Sequence, residues 1–221
     1  MYRDRHRSTV FGADEAGKGP VLGSMFAAAV AVDDPADLPD GVDDSKNLAP
    51  ARREELAADL RASDGVAVGV AEIPVERIDA PATDMNALTV AAQARAVSRV
   101  AEADERGVVD AGDTSERRFA RRVADAASVP VSVTAEHGAD ERHAVVGAAS
   151  VVAKVERDAH VDRLAEEYGD LGSGYPSDPT TRRFLREYVA DHGDLPDCAR
   201  ASWSTCEDVL AAREQSALDE F

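Results

Sequence analysis

An α/β fold, a central sheet flanked by helices with a small helical C-terminal extension, is predicted by three features of this 221-residue chain. Strand-like runs come first, helical and strand-like segments then alternate, and helical patterns close the chain. Length and a hydrophobic content of 44% suit one domain with a buried core. Apolar runs stay short of the roughly 18 residues that would predict a membrane span.

The elements follow in order. Residues 9–15 and 21–32 read as two strands joined in a hairpin-like arrangement by the turn Gly17-Lys18-Gly19-Pro20. The alanine-rich run over 26–32 suits a helix equally well by composition. Residues 50–60 carry helical spacing through Leu56 and Leu60, with Pro50 placed for a first turn and Ala49 a poor cap. A strand is expected over 66–73, a long alanine-rich helix over 86–103, and a short buried strand over 107–111. A helix over 115–126 and a strand over 129–134 come next. One long helix covers 143–168, with Ala148, Val151, Val152, Val155 and Leu164 on or near its apolar face. Gly172-Ser-Gly-Tyr-Pro-Ser-Asp-Pro179 is a turn, and helices over 180–192 and 203–214 finish the chain. The expected division is a sheet domain over 1–170 and an extension over 171–221 that contributes the Gly-Tyr-Pro-Ser-Asp turn.

Charge is the second constraint. Net charge is −18, and of 25 basic residues only Lys18, Lys46 and Lys154 are lysine. An acidic surface nearly free of lysine points to a salt-rich cytosol, because at about 1 M salt the Debye length is only about 3 Å and self-repulsion is screened. Each surviving lysine sits inside a motif discussed below. Cys198 and Cys206 fit no common zinc spacing and are too few for a disulfide framework, so both are expected as free thiols in a reduced, cytoplasmic protein. The opening Met-Tyr-Arg-Asp-Arg-His-Arg has no signal-peptide apolar core.

The most informative stretch is Gly12-Ala-Asp-Glu-Ala-Gly-Lys-Gly-Pro-Val-Leu-Gly23. It sets Asp14 and Glu15 at the end of an apolar run. Neighbouring carboxylates repel, and a hard divalent cation offsets that repulsion. The glycines that follow let backbone approach a guest closely, most often phosphate. Asp110 ends the strand in Val108-Val-Asp-Ala-Gly-Asp113, and ligands gather at strand ends in α/β sheets, which makes Asp14 and Asp110 expected neighbours. Local sequence does not separate Asp110 from Asp113, nor either from a helix-capping role. Asp158 falls almost three helical turns after Ala148, on the face of that small-residue patch. No His, Ser or Cys accompanies these acids in a motif, so a nucleophilic triad is unsupported. Acids alone point to metal-assisted chemistry, with two cations serving the attacking water and the leaving oxygen.

Six motifs then occur in order: Asp14-Glu-Ala-Gly-Lys-Gly-Pro-Val21, Asp44-Ser-Lys-Asn-Leu48, Val109-Asp-Ala-Gly-Asp113, Ala135-Glu-His-Gly-Ala-Asp140, Ala148-Ala-Ser-Val-Val-Ala-Lys154 with Arg157-Asp158, and Gly172-Ser-Gly-Tyr-Pro-Ser-Asp178. Together the set resembles ribonuclease HII of the archaeal type from about Phe11 to Trp203. The resemblance implies a ribonuclease H-like fold with a mixed sheet. It implies Asp14, Glu15, Asp110 and Asp158 as catalytic acids that hold two Mg2+ or Mn2+ ions, Asp14, Glu15 and Asp110 foremost as ligands. It implies that the Gly17-Lys18-Gly19 backbone reads a ribose 2′-hydroxyl and that Tyr175 packs against the sugar beside the junction. Ser45 and Lys46 match a contact to the substrate backbone, and Lys154 is expected near the metals. Many relatives carry arginine in place of Lys18, which keeps the charge and loses bidentate phosphate geometry, and many carry proline in place of Ser24. His137 and His143 are expected to be structural. Trp203 is expected to anchor the last helix, base stacking being the alternative.

The implied activity is hydrolysis of the RNA strand of RNA–DNA hybrids, and of the phosphodiester 5′ of ribonucleotides embedded in duplex DNA, by a monomer with no membrane partner. The ends left would be 3′-hydroxyl and 5′-phosphate. A different two-metal nuclease or exonuclease on the same fold, or a non-catalytic nucleic-acid-binding module, are the alternatives. The tail Gln215-Ser-Ala-Leu-Asp-Glu-Phe221 holds no clear clamp-binding motif, though Gln215 and Phe221 leave a degenerate one open.

Overall fold

The computed structural model describes residues 10–42 and 48–219, the last four as backbone only. Five strands, β1 (Val10–Ala16), β2 (Met25–Val32), β3 (Val66–Ile73), β4 (Arg106–Asp110) and β5 (Ser132–Glu136), lie side by side as β3-β2-β1-β4-β5. β1 runs antiparallel to β2 and parallel to β4, and β4 is parallel to β5, so the sheet is mixed. The chain divides into two compact units.

The first unit comprises Met1–Ala16, Phe26–Glu72 and Asp84–Glu156. Helices cover both faces of its strands. On one face lie α1 (Pro50–Ala62) and the first part of α5 (Ala144–Tyr168), sharing a core with Ala28, Val30 and Val32. On the other, α3 (Met85–Val97) packs on β1 and on α4 (Glu116–Ala126). This double cover explains β2, where all eight residues are buried. An alanine-rich run that could be helical by composition becomes a strand because its backbone pairs with β1 on one side and β3 on the other, and both faces meet helices. The approach of α5 is close. A Cβ on Gly12 would sit 2.6 Å from the Val145 carbonyl carbon, so only glycine is tolerated there.

Boundaries depart from the sequence expectation in several places, and the last helix runs on to Asp219. β2 starts at Met25, because residues 21–23 are tied elsewhere. The helix expected over 86–103 stops at Val97, where Ser98 closes it. β5 starts at Ser132, two residues after Pro130, which has no N–H for a ladder. A four-residue helix, α2 (Val75–Ile78), follows Pro74 and was not anticipated.

The second unit comprises Gly17–Met25, Ile73–Thr83 and Arg157–Phe221. It therefore draws on three stretches, whereas the sequence suggested an extension built from 171–221 alone. Here α6 (Pro179–His192) and α7 (Ser204–Asp219) surround Val21, Leu22, Leu171, Leu185, Cys198 and Cys206. The 21–23 segment is knitted in by backbone bonds: Val21 N–H donates to Gly174 O at 2.8 Å and Gly23 N–H to Cys198 O at 2.8 Å. Both cysteines are buried free thiols, and burial pushes their pKa values up to about 12 for Cys198 and about 11 for Cys206. None of the described helices is long and apolar enough to cross a membrane.

Candidate active site

Strand register builds the site in the first unit. Ala13 of β1 is paired with Val109 of β4, so Asp14 and Asp110, one residue on, meet at the carboxyl ends of two parallel strands. Alternation along β1 places Asp14 on the same face as Gly12 and as its cross-strand partner Ala28, toward α5. Asp14 is 7% exposed. Burial, and after it the Asp110 carboxylate, raises its pKa from 3.8 to about 7, with Asp140 adding to the effect. The Glu15 N–H donates to Asp14 Oδ1 at 2.7 Å and holds the carboxylate in place. The buried Ser150 hydroxyl faces Asp14 without making a hydrogen bond of normal geometry to any described group.

Glu15 faces the opposite side of β1, toward α3. There Gln93 Nε2 donates to Glu15 Oε2 at 2.6 Å and to the Asp110 carbonyl at 3.0 Å. The like-charged neighbour of Asp14 is thus Asp110 and not the adjacent Glu15. Asp110 Oδ1 accepts from the Ala139 N–H at 2.8 Å. Asp113, indistinguishable from Asp110 in sequence, is met by Arg118 through Nε at 3.0 Å and Nη2 at 2.6 Å. That fork pulls its pKa down to about 2 and makes it a loop staple.

Among the described residues no three His, Cys, Asp or Glu side chains are grouped to hold one ion. The donor set around Asp14 nonetheless fits a hard divalent cation. Its donors are carboxylate oxygens, and both charges that raise its pKa are negative. Lys154 and Asp158 lie one turn apart on α5, both half-buried. Ser45 and Lys46 lie outside the described residues. His143 is paired with Glu136 at 3.1 Å, which fits the structural role expected of it.

The remaining expected residues belong to the second unit. Gly17 adopts φ 87°, a left-handed conformation that favours glycine, and opens the Gly17-Lys18-Gly19 turn. A Cβ on exposed Gly19 would lie 3.4 Å from the Tyr175 ring. Tyr175 is the exposed large hydrophobic residue among those described, at 38%. Arg157 serves both flanks: its Nη1 donates to Asp158 Oδ1 at 3.2 Å, its Nη2 to the Ser173 carbonyl, and its guanidinium lies 5.1 Å from the Tyr175 ring centroid.

Asp178 shapes the Tyr175 turn, accepting from Ser173 N–H at 2.7 Å and from Thr180 N–H at 2.8 Å as the cap of α6. Those bonds lower its pKa to about 2. The stabilisation is present above the unfolded value of 3.8 and is lost as pH falls toward 2. Asp178→Ala is expected to lower the melting temperature at pH 7 and to leave it nearly unchanged at pH 2; equal losses at both would contradict the assignment.

Sequence reasoning missed Gln93, Asp140 and Arg200. A glutamine inside an otherwise small and apolar helical face was the one available signal for Gln93.

The family model for Ribonuclease HII matches residues 11–206. A Ribonuclease HII from Haloarcula marismortui is 67% identical over 211 residues, covering 96% of this chain and 99% of that protein. The crystal structure of ribonuclease H2 from Pyrococcus horikoshii OT3 superposes with a TM-score of 0.84 at 34% identity, covering 94% of this chain and 99% of that one. The Archaeoglobus fulgidus chain in a PCNA:RNase HII complex superposes with a TM-score of 0.79 at 39% identity, covering 88% and 95% respectively. The mixed sheet, the acid pair at its parallel strand ends and these matches agree: the chain belongs to the ribonuclease HII family.

Proposed function

We propose that this chain is a metal-dependent endoribonuclease that hydrolyses the RNA strand of RNA–DNA hybrids and cuts 5′ of a ribonucleotide embedded in duplex DNA, leaving 3′-hydroxyl and 5′-phosphate ends. The observation that carries the reading is buried Asp14 beside half-buried Asp110 at the ends of β1 and β4, in a chain of this family. Mg2+ or Mn2+, held by Asp14, Glu15 and Asp110 with Asp158 as the fourth acid, would offset the carboxylate charge and supply Lewis acidity toward the scissile phosphate. The protein's own work is to hold those acids. The Ala139 amide orients Asp110, Gln93 fixes Glu15 Oε2, and the Glu15 amide fixes Asp14. Burial and the Asp110 charge raise the Asp14 pKa, so a cation there would relieve a carboxylate that its surroundings disfavour.

Gly17, Lys18 and Gly19 offer backbone to the ribose, and Tyr175, beside Gly19, packs on the sugar. Lys154, Ser45 and Lys46 serve the nucleic-acid backbone. The chain acts as a monomer in the cytoplasm, and its substrate is RNA–DNA hybrid or ribonucleotide-bearing duplex DNA.

The test is incision of a duplex with a single ribonucleotide, beside an identical all-DNA duplex, with Mg2+ or EDTA. Cutting 5′ of the ribonucleotide only, and only with the metal, is expected. Equal cutting of all-DNA would favour another nuclease on this fold, and binding without cutting a non-catalytic module. Tyr175→Ala is expected to lower cleavage at the single ribonucleotide more than within a long hybrid, which offers many registers. Equal losses would reduce Tyr175 to a packing residue.

A further inference from the structure

Arg200 is the one fully buried arginine among the described residues. Its guanidinium donates from Nη2 to Gly17 O at 2.6 Å, from Nη1 to Lys18 O at 3.1 Å and from Nε to Gly23 O at 2.9 Å. Its own N–H donates to Val21 O at 2.8 Å, and the guanidinium lies 5.3 Å from the Trp203 ring centroid. The two residues after it are fastened by one carboxylate. Asp79 accepts from Ala201 N–H at 2.8 Å, Ser202 N–H at 3.1 Å and the Ser202 hydroxyl at 2.5 Å. All of these groups belong to the second unit.

Burial, with the nearby Arg157 charge, lowers the Arg200 pKa only to about 10, so the side chain stays cationic at neutral pH. Its charge is solvated by carbonyl dipoles in place of water. A site needing only bulk would be filled at lower cost by an apolar side chain. What the fork adds is orientation. In a planar trans peptide the C=O and the following N–H point in opposite directions. Drawing the Gly17 and Lys18 carbonyls onto Arg200 therefore turns the N–H groups of Lys18 and Gly19 away from it, on the turn that Tyr175 borders.

We infer that Arg200, steadied by Asp79, is a positioning residue for ribose recognition: it aims the Lys18 and Gly19 amides at the 2′-hydroxyl oxygen. The inference rests on the ribonuclease reading above. A lysine in its place keeps the charge and loses the fork that spans three carbonyls.

Two variants test it, Arg200→Lys and Asp79→Ala, each checked for folding by circular dichroism. Steady-state cleavage of a single-ribonucleotide duplex in Mg2+ gives kcat/KM, and competition by the matching all-DNA duplex gives an inhibition constant that reports binding without the 2′-hydroxyl. In both variants kcat/KM should fall about tenfold, the scale of one or two well-aimed hydrogen bonds, while the all-DNA inhibition constant stays at the wild-type value. A parallel weakening of both quantities, or an unchanged kcat/KM, would overturn the assignment and leave Arg200 a packing residue. If Arg200→Lys does not fold, Asp79→Ala decides alone. Wild-type protein that fails to cut the ribonucleotide would instead defeat the ribonuclease reading itself.

Discussion

Asp14→Asn is expected to abolish cleavage and, in the metal-free protein, to raise the melting temperature above pH 7. The two effects share one cause. Asp14 is buried beside Asp110, and its pKa stands at about 7 in the folded state against 3.8 for the free group. Between those values the folded protein holds a proton that the unfolded chain has released, so stability falls as pH rises from about 4 to 7 and is flat above. The full loss is on the order of 4 kcal/mol. Asparagine cannot ionise, and its Oδ1 can still accept from the Glu15 N–H, so the variant escapes that loss while keeping the local geometry. It also loses a ligand and half of a charge pair that a cation would offset, and cleavage should drop by at least about a thousandfold, given the several kcal/mol that such an ion supplies to the transition state. Melting curves in EDTA from pH 4 to 9, with cleavage rates in Mg2+, check both halves. Near-normal activity would remove Asp14 from the ligand set. A wild-type melting temperature that rises from pH 4 to 7 in parallel with the variant would contradict the raised pKa.

Salt carries the second large expectation. The net charge of −18 is unscreened at low ionic strength, where it opposes both compaction and the approach of a polyanion. Binding to duplex nucleic acid weakens with salt, with a log–log slope of about −0.9 per phosphate neutralised. Folding should therefore rise with KCl into the molar range, and activity should pass through an optimum well above physiological salt. Circular dichroism and cleavage rates across one KCl series measure both. A fully folded protein most active near about 50 mM KCl would contradict the halophilic reading of the composition while leaving the nuclease assignment intact.

Much of this was legible in the chain, and what was not has physical reasons. The strand ends at Asp14 and Asp110 could be read because a short apolar run stopping at an acid is a local pattern. The side of the strand that each acid faces could not, since it depends on register with β2 and β4. Asp110 and Asp113 were inseparable until Arg118, on the following helix, was seen to neutralise only the latter. The alanine-rich β2 was ambiguous because small side chains suit both a helix and a strand buried on two faces, and only the helices packed on both sides decide it. Arg200 left no signal at all: its carbonyl partners at Gly17, Lys18 and Gly23 lie at the other end of the chain. The same distance explains the unit boundary, since 17–25 and 73–83 join the C-terminal helices through contacts that no local composition announces.

The central claim is that the Asp14–Asp110 pair is where a divalent cation is held. Calorimetric titration of the metal-free protein with Mg2+ at pH 7, in two buffers of different ionisation enthalpy, counts the protons released on binding. With the Asp14 pKa raised by burial and by Asp110, wild-type protein should release protons from that carboxyl on binding, and Asp14→Asn should bind Mg2+ more weakly and release none from this position. Binding to wild type without proton release, together with unchanged affinity in Asp14→Asn, would contradict it.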